Sequence, residues 1–166
     1  YKNKPLINHI LSSLIRSEIN KIILVLGYEA SKIKKISRKS KKIIFVLNKN
    51  FKNGISSSIK TGLKKISKTN KGFIIVHSDM PFVTKSNLNK IHKSISKKKY
   101  LVHALRFKNR IGNPIGFDIS LLNKFKKING DVGAKFIVKK LKKNTNFIKV
   151  RSNKIFKDFD LKKDFN

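Results

Sequence analysis

Asp79 stands at the end of the apolar run Gly72-Phe73-Ile74-Ile75-Val76-His77, in the segment Ser78-Asp79-Met80-Pro81. A carboxylate at the end of a buried strand is a hard oxygen donor, placed where a divalent cation can bridge phosphate oxygens. An aspartate in this position equally suits the N-cap of a following helix, and the segment alone does not choose between the two. The chain has 8 acidic residues against 41 lysines and arginines, so the position of each carboxylate carries weight. Asp158, Asp160 and Asp164 all lie in the final stretch Lys157-Asp158-Phe159-Asp160-Leu161-Lys162-Lys163-Asp164-Phe165. Asp158 and Asp160 alternate about Phe159, so in an extended tail they project to one side and approach Asp79 if the tail returns to it. Asp160 also reads as a helix N-cap. A second candidate is Asn53-Gly54-Ile55-Ser56-Ser57-Ser58-Ile59-Lys60-Thr61-Gly62-Leu63, a glycine and serines opening a helix, whose N–H groups and hydroxyls suit phosphate or nucleotide. A capped helix start needs only one of those serines. The histidines His9, His77, His92 and His103 fall in separate elements and compose no transition-metal site; His77 reads as a satisfied, partly buried residue.

These residues need a scaffold, and the hydrophobic pattern supplies one. Leu6, Ile7, Ile10, Leu11, Leu14 and Ile15 recur at helical spacing after Pro5, whose fixed φ suits a helix start. Ile22-Ile23-Leu24-Val25-Leu26 is a continuous β-branched run closed by Gly27, the pattern of a strand buried on both faces. The alternation continues with a helix near 29–37, strand 43–47, helix 57–66, strand 73–77 and helix 85–95. Connections of this length imply βαβ units, hence a Rossmann-like doubly wound α/β domain, mostly parallel, with helices on both faces. Beyond Tyr100 the rhythm changes. Strands over 100–107 and 114–117 flank the polar turn 108–112 and are expected to pair antiparallel; helices near 120–127 and 132–141 and a strand over 147–150 follow.

The chain is long enough for one substantial core and shows no sign of a second, so a single domain over residues 1–166 is expected. It has no cysteine, which excludes disulfides and thiolate metal sites and suits a reducing, cytoplasmic setting. No apolar stretch approaches the roughly 20 residues of a membrane span. The net charge of +33 would favour nucleic acid or an anionic surface. Its lysines are spread through every segment alongside abundant isoleucine and asparagine, which is the imprint of A/T-rich coding. Most phenylalanines fall on apolar runs rather than among the basic residues, so stacking positions for RNA are lacking and nucleic acid is disfavoured as a partner.

Taken in order, these segments resemble the molybdenum cofactor nucleotidyltransferase-like family of NTP transferases, most closely its cytidylyltransferase branch. Lys4-Pro5-Leu6-Ile7 looks like the family's helix start, 53–63 like its glycine-serine nucleotide loop, and 78–81 like its aspartate-methionine-proline metal motif. Gly112-Asn113-Pro114 and Gly130-Asp131-Val132-Gly133-Ala134-Lys135 are similar to its acceptor-side loops, and 158–165 to its closing aspartate motif. The resemblance implies a nucleotide-diphospho-sugar transferase type of fold that moves a nucleoside monophosphate from CTP or GTP to molybdopterin or a related phosphorylated acceptor, releasing pyrophosphate. It further implies Mg²⁺ held by Asp79 and Asp160, with Asp158 beside them. Gly54, Ser57 and Ser58 would face the nucleotide, and Asn113, Pro114, Asp131 and Gly133 the acceptor. Relatives that transfer to sugar phosphates, a non-catalytic relative and a basic nucleic-acid-binding domain are the alternatives.

Two departures qualify the match. Ser78 stands where the family usually has glycine, and Leu161-Lys162 replaces its threonine-proline. The family also opens with a strand and a glycine-rich loop whose arginine and lysine grip the triphosphate, and nothing in residues 1–166 corresponds to them. That strand is central in the sheet, so its loss is expected to expose the flanks of two neighbouring strands and leave residues 1–166 inactive alone.

Overall fold

A computed structural model describes residues 1–159, and its elements follow from the pattern above. Helix α1 (Leu6–Arg16) starts directly after Pro5 and buries Ile10, Leu11 and Leu14 on one stripe. Strand β1 (Ile22–Leu26) pairs in parallel with β2 (Ile43–Leu47) through the short helix α2 (Ala30–Ile36). Helix α3 (Ile55–Leu63) leads to β3 (Gly72–Ile75). Helix α4 (Lys85–Ser96) is fixed at its start by a capping box, in which Thr84 accepts from the Asn87 N–H and the Asn87 side chain accepts from the Thr84 N–H. Strands β4 (Val102–Phe107) and β5 (Arg110–Asp118) form the expected antiparallel pair, with a register shift between Ala104 and Leu105. The short helices α5 (Leu122–Phe125) and α6 (Lys135–Lys140) precede the last strand, β6 (Thr145–Lys149).

The described strands form two sheets. One is β1-β2; the other runs β3-β5-β4-β6, with β6 parallel to β4 and β5 antiparallel to both its neighbours. No described strand joins β1 to β3. Helices nevertheless bind the halves together. Ile22 and Leu24 of β1 share an apolar cluster with Ile10, Leu11 and Leu14 of α1, Leu88 of α4, and Val76, Met80 and Val83 from the chain after β3.

The four-stranded sheet carries helices on both faces, in keeping with the continuous burial along its central strands β4 and β5. Phe73, Val102, Ala104, Ile115 and Phe117 face Ile59 of α3, Phe125 of α5 and Ile137 and Val138 of α6. Phe125 stands edge-on to Phe117 and Phe73 at centroid distances of 4.8 and 5.3 Å, an arrangement favoured by the ring quadrupoles. On the opposite face Leu105 meets Ile91 and Ile95 of α4 with Ile155 and Phe156 from the tail. Helix α4 lies so close to the sheet that a Cβ on Gly116 would stand 2.4 Å from an Ile91 methyl, so this crossing requires glycine.

Candidate functional site

Loops at one end of these strands bring together residues far apart in the chain. Asp79, half-buried, lies beyond the end of β3. The tail does return to it: the Phe159 N–H donates to the Asp79 carbonyl at 3.1 Å, and the Phe159 ring packs on Tyr1 and Phe82. This carries Asp158 to the wall of a nearby cavity. Asp160 and Asp164 lie outside the described residues. Among the described residues no group of three or more histidines or carboxylates surrounds a single point. The returning tail sets its main chain beside that of Asp79, and the carboxylates of Asp79 and Asp158 are oxygen donors of the kind that suits a hard divalent cation.

The glycine-serine loop is held from two sides. Gly54 has φ +84 and ψ 176, a conformation essentially confined to glycine, and a Cβ there would stand 2.5 Å from the Gly130 carbonyl carbon and 2.6 Å from Asp131 Oδ1. The close approach allows two main-chain donors at the start of α3 to be taken up: Ser56 N–H by the Gly130 carbonyl at 3.1 Å, and Ile55 N–H by Asp131 Oδ1 at 3.2 Å. Lys60 Nζ donates to Asn129 Oδ1 at 3.0 Å and extends the zipper by one helical turn. The α3 N-terminus expected to grip phosphate therefore spends these donors on the 129–131 loop. Asp131, expected to face the acceptor, also caps α3, where a carboxylate is favoured by the helix dipole.

On the other side stands Asn48, directly after β2 and only 3% exposed. Its Nδ2 donates to Ser57 Oγ at 2.8 Å and Ser58 Oγ at 3.1 Å, while its Oδ1 accepts from the Asn50 N–H at 3.0 Å. Ser57 directs its own proton toward the Asn50 and Gly54 carbonyls, each 2.9 Å away. Its hydroxyl is thus occupied with bracing the loop, whereas Ser58 accepts from Asn48 and keeps a proton to donate elsewhere. Sequence reasoning passed over Asn48, although a polar residue directly after an apolar run was the available signal.

Between α3, β5 and α6 opens a cavity of about 490 Å³, with Asn113, Asp131, Gly133 and Asp158 on its wall. Asn113, on β5 and 6% exposed, meets His77 Nε2 through its Nδ2 at 2.7 Å, while its Oδ1 has no hydrogen-bond partner among the described residues. Pro114 is placed differently from the acceptor-facing expectation: it is fully buried inside β5 and is not part of the cavity wall, because adjacent strand residues point to opposite faces. Lys135, the last residue of the acceptor-side loop quoted from the sequence, and Arg110 and Lys139, which the sequence reading did not single out, complete the wall's basic side. Each remaining histidine has its own local contact: His9 to the Tyr1 carbonyl, His92 to Glu18, and His103 to Ser94.

His103 is fully buried. Burial holds its imidazole below the ordinary 6.5, against opposing pulls from a Tyr100 backbone group and the Asp118 charge. Ser94 Oγ stands 2.7 Å from its Nδ1 and accepts from Asn146 Nδ2 at 2.7 Å. This network lies on the α4 side of the sheet and tethers α4 to β4 and β6, away from the cavity.

Comparison with known proteins bears on all of this. A family model described as MobA-like NTP transferase domain matches residues 1–145. Among solved structures, Rv0371c of Mycobacterium tuberculosis H37Rv aligns with TM-score 0.80 at 18% identity, covering 92% of this chain and 77% of that one; a manganese complex of the same protein aligns at 0.76 and 17% identity, covering 92% and 80%. The 4-diphosphocytidyl-2C-methyl-D-erythritol synthase of Anaerococcus prevotii DSM 20548 aligns at 0.75 with 16% identity over 97% of this chain and 82% of that one. A nucleotidyl transferase of Methanothermobacter aligns at 0.74 with 14% identity, over 92% and 73%. Among curated proteins none matches the sequence. At these identities the structural likeness speaks for the α/β nucleotidyltransferase fold.

Proposed function

The chain belongs to the MobA-like NTP transferase domain family, a family of nucleotidyltransferases, and from that premise we propose that it moves a nucleoside monophosphate from CTP or GTP to molybdopterin or a related phosphorylated acceptor, releasing pyrophosphate. The observation that carries this reading is the return of the tail: Phe159 pairs with the Asp79 main chain while Asp158 reaches the cavity wall, which supports a site shared by strand end and tail beside a cavity large enough for a small acceptor.

In this reading Asp79 and Asp158 hold a divalent cation together with Asp160, with Mg²⁺ the preferred ion; the manganese bound by the mycobacterial protein supports a divalent requirement. A cation so held offsets the negative charge that gathers on the phosphate oxygens during displacement. The chain's own residues position the reactants. Asn48 and the 129–131 loop fix the shape of the 54–58 loop, Ser58 offers its hydroxyl to the nucleotide, and Asn113, Asp131 and Gly133 line the acceptor side. No protein nucleophile is needed, because an acceptor phosphate oxygen attacks the α-phosphate directly and catalysis consists of alignment and charge stabilisation.

The reading includes a further strand between β1 and β3, with a glycine-rich triphosphate loop, contributed by residues outside 1–166. Among the described residues both strands pair on one edge only while their surroundings share one apolar cluster, which supports this arrangement. Transfer activity measured with residues 1–166 alone would overturn it. The second reading, a phosphorylated sugar alcohol as acceptor with CTP as donor, is favoured by the likeness to the diphosphocytidyl-methylerythritol synthase. In the completed protein, Asp79→Ala is expected to abolish metal-dependent pyrophosphate release from CTP or GTP. Unchanged release removes the metal assignment.

A further inference from the structure

Three cations border the cavity, and they are not equivalent. Arg110 is already engaged: its guanidinium donates to the Phe156 carbonyl at 3.0 Å and lies 5.7 Å from the centre of the Phe156 ring. It serves as wall. Lys135 and Lys139, four residues apart on α6 and therefore on one face of that helix, both line the cavity and have no carboxylate within ion-pair distance among the described residues. Unpaired lysines on a chain this basic mean little by themselves. These two share their cavity with a buried carboxamide whose oxygen has no partner among the described residues, and such an oxygen is costly to bury unless something donates to it.

The acidic groups on the same wall do not cancel the lysines. Asp131 is tied to the Ile55 N–H at 3.2 Å, and Asp158 lies on the returning tail beside Asp79. The Asn113 amide is meanwhile fixed by His77, so its free atom is held at a set place on the wall rather than free to rotate away. Fixed polar atom and mobile cations together describe a ligand with two ends.

We infer that Lys135 and Lys139 bind the anionic end of the acceptor, a phosphate monoester, while the Asn113 carboxamide receives a hydrogen-bond donor on its uncharged end. This rests on the reading of the cavity as the acceptor side and goes beyond it by naming two specificity-determining lysines and the polarity of each end of the molecule. The lysines act as point charges that tolerate different phosphate orientations. Discrimination among acceptors then falls to Asn113, which rejects a molecule that cannot donate at that point.

The test reads binding apart from turnover. Inorganic phosphate is titrated into isotope-labelled protein and followed by the NMR signals of Lys135, Lys139 and the Asn113 side-chain amide. Saturable shifts at these three positions are expected. Lys135→Gln with Lys139→Gln is expected to weaken phosphate binding about tenfold or more, and Lys124→Gln with Lys143→Gln, which removes the same charge elsewhere, to leave it unchanged. Equal weakening in both pairs, or shifts spread over surface lysines generally, overturns the inference. In the completed enzyme the first pair should raise the acceptor KM and spare that of the nucleotide, whereas an unaltered acceptor KM overturns it. Phosphate binding as expected in an enzyme that transfers no nucleotide would overturn the proposed function and leave the anion site standing.

Discussion

Replacing Gly54 by alanine attacks the zipper between the 54–56 and 129–131 loops at its tightest point. The backbone conformation there, φ +84 and ψ 176, costs a residue with a Cβ about 1–3 kcal/mol. The new methyl also needs the space held by the Gly130 carbonyl, 2.5–2.6 Å away, and main chain cannot swing aside as a long side chain does. Separating the loops forfeits the Ser56–Gly130 and Ile55–Asp131 hydrogen bonds, each worth about 1 kcal/mol net. The loss expected for Gly54→Ala is therefore about 3–5 kcal/mol, a large share of the roughly 5–15 kcal/mol that holds a typical domain together. Gly133→Ala is the control, since a Cβ there meets nothing within 4 Å, and a change within about 0.5 kcal/mol is expected. Urea unfolding of both variants in the same protein, followed by circular dichroism, measures the difference. Midpoints that coincide for the two variants would refute the assignment of Gly54 as the tight point of the loop.

Two other sites give independent checks. Asn48→Ala removes three side-chain hydrogen bonds from a buried position and is expected to cost about 2–3 kcal/mol in urea unfolding, against less than about 1 kcal/mol for Asn129→Ala at the exposed Lys60 contact; similar losses would contradict the bracing role. Because burial holds the folded-state His103 below its ordinary 6.5, the unfolded chain takes up its proton first as the pH falls. The stability His103 confers is complete above pH 6.5 and is lost as pH drops through the lower folded value. Unfolding free energies measured from pH 7.5 down to pH 5 should therefore fall more steeply in the native chain than in His103→Asn, and parallel slopes would exclude His103 as the source.

The scaffold was legible because its signals are local. The run Ile22-Ile23-Leu24-Val25-Leu26 is β1 to the residue, and the antiparallel pairing of β4 and β5 follows from two apolar runs about a polar turn. Boundaries moved where packing outweighs propensity. The expected strand 114–117 is the longer β5, Arg110–Asp118, because β4 pairs with Arg110–Gly112 as well as with Ile115–Phe117, on either side of the register shift. The expected helix 132–141 shrinks to Lys135–Lys140 as the 129–131 loop turns away to meet Gly54. At the site, carboxylates and loops were visible as residue types, but their partners were not. No spacing rule couples Asn48 to Ser57 and Ser58 across a loop, or His77 to Asn113 across two strands. The resemblance set Ser57 toward the nucleotide, and the tertiary contacts add that its hydroxyl also braces the loop.

The zipper also sets an order of events during synthesis. Its bond from Ile55 to Asp131 spans 76 residues of chain, so the 54–58 loop cannot take its final shape until α5 and the turn after it have been made. Closing so long a loop carries an entropic cost that local contacts do not share. A nascent chain can build α1, β1, β2 and most of α3 early, while the loop between β2 and α3 still lacks half of its support. The 54–58 loop is therefore completed late, and a ribosome stalled before Asp131 would display that loop without its partner.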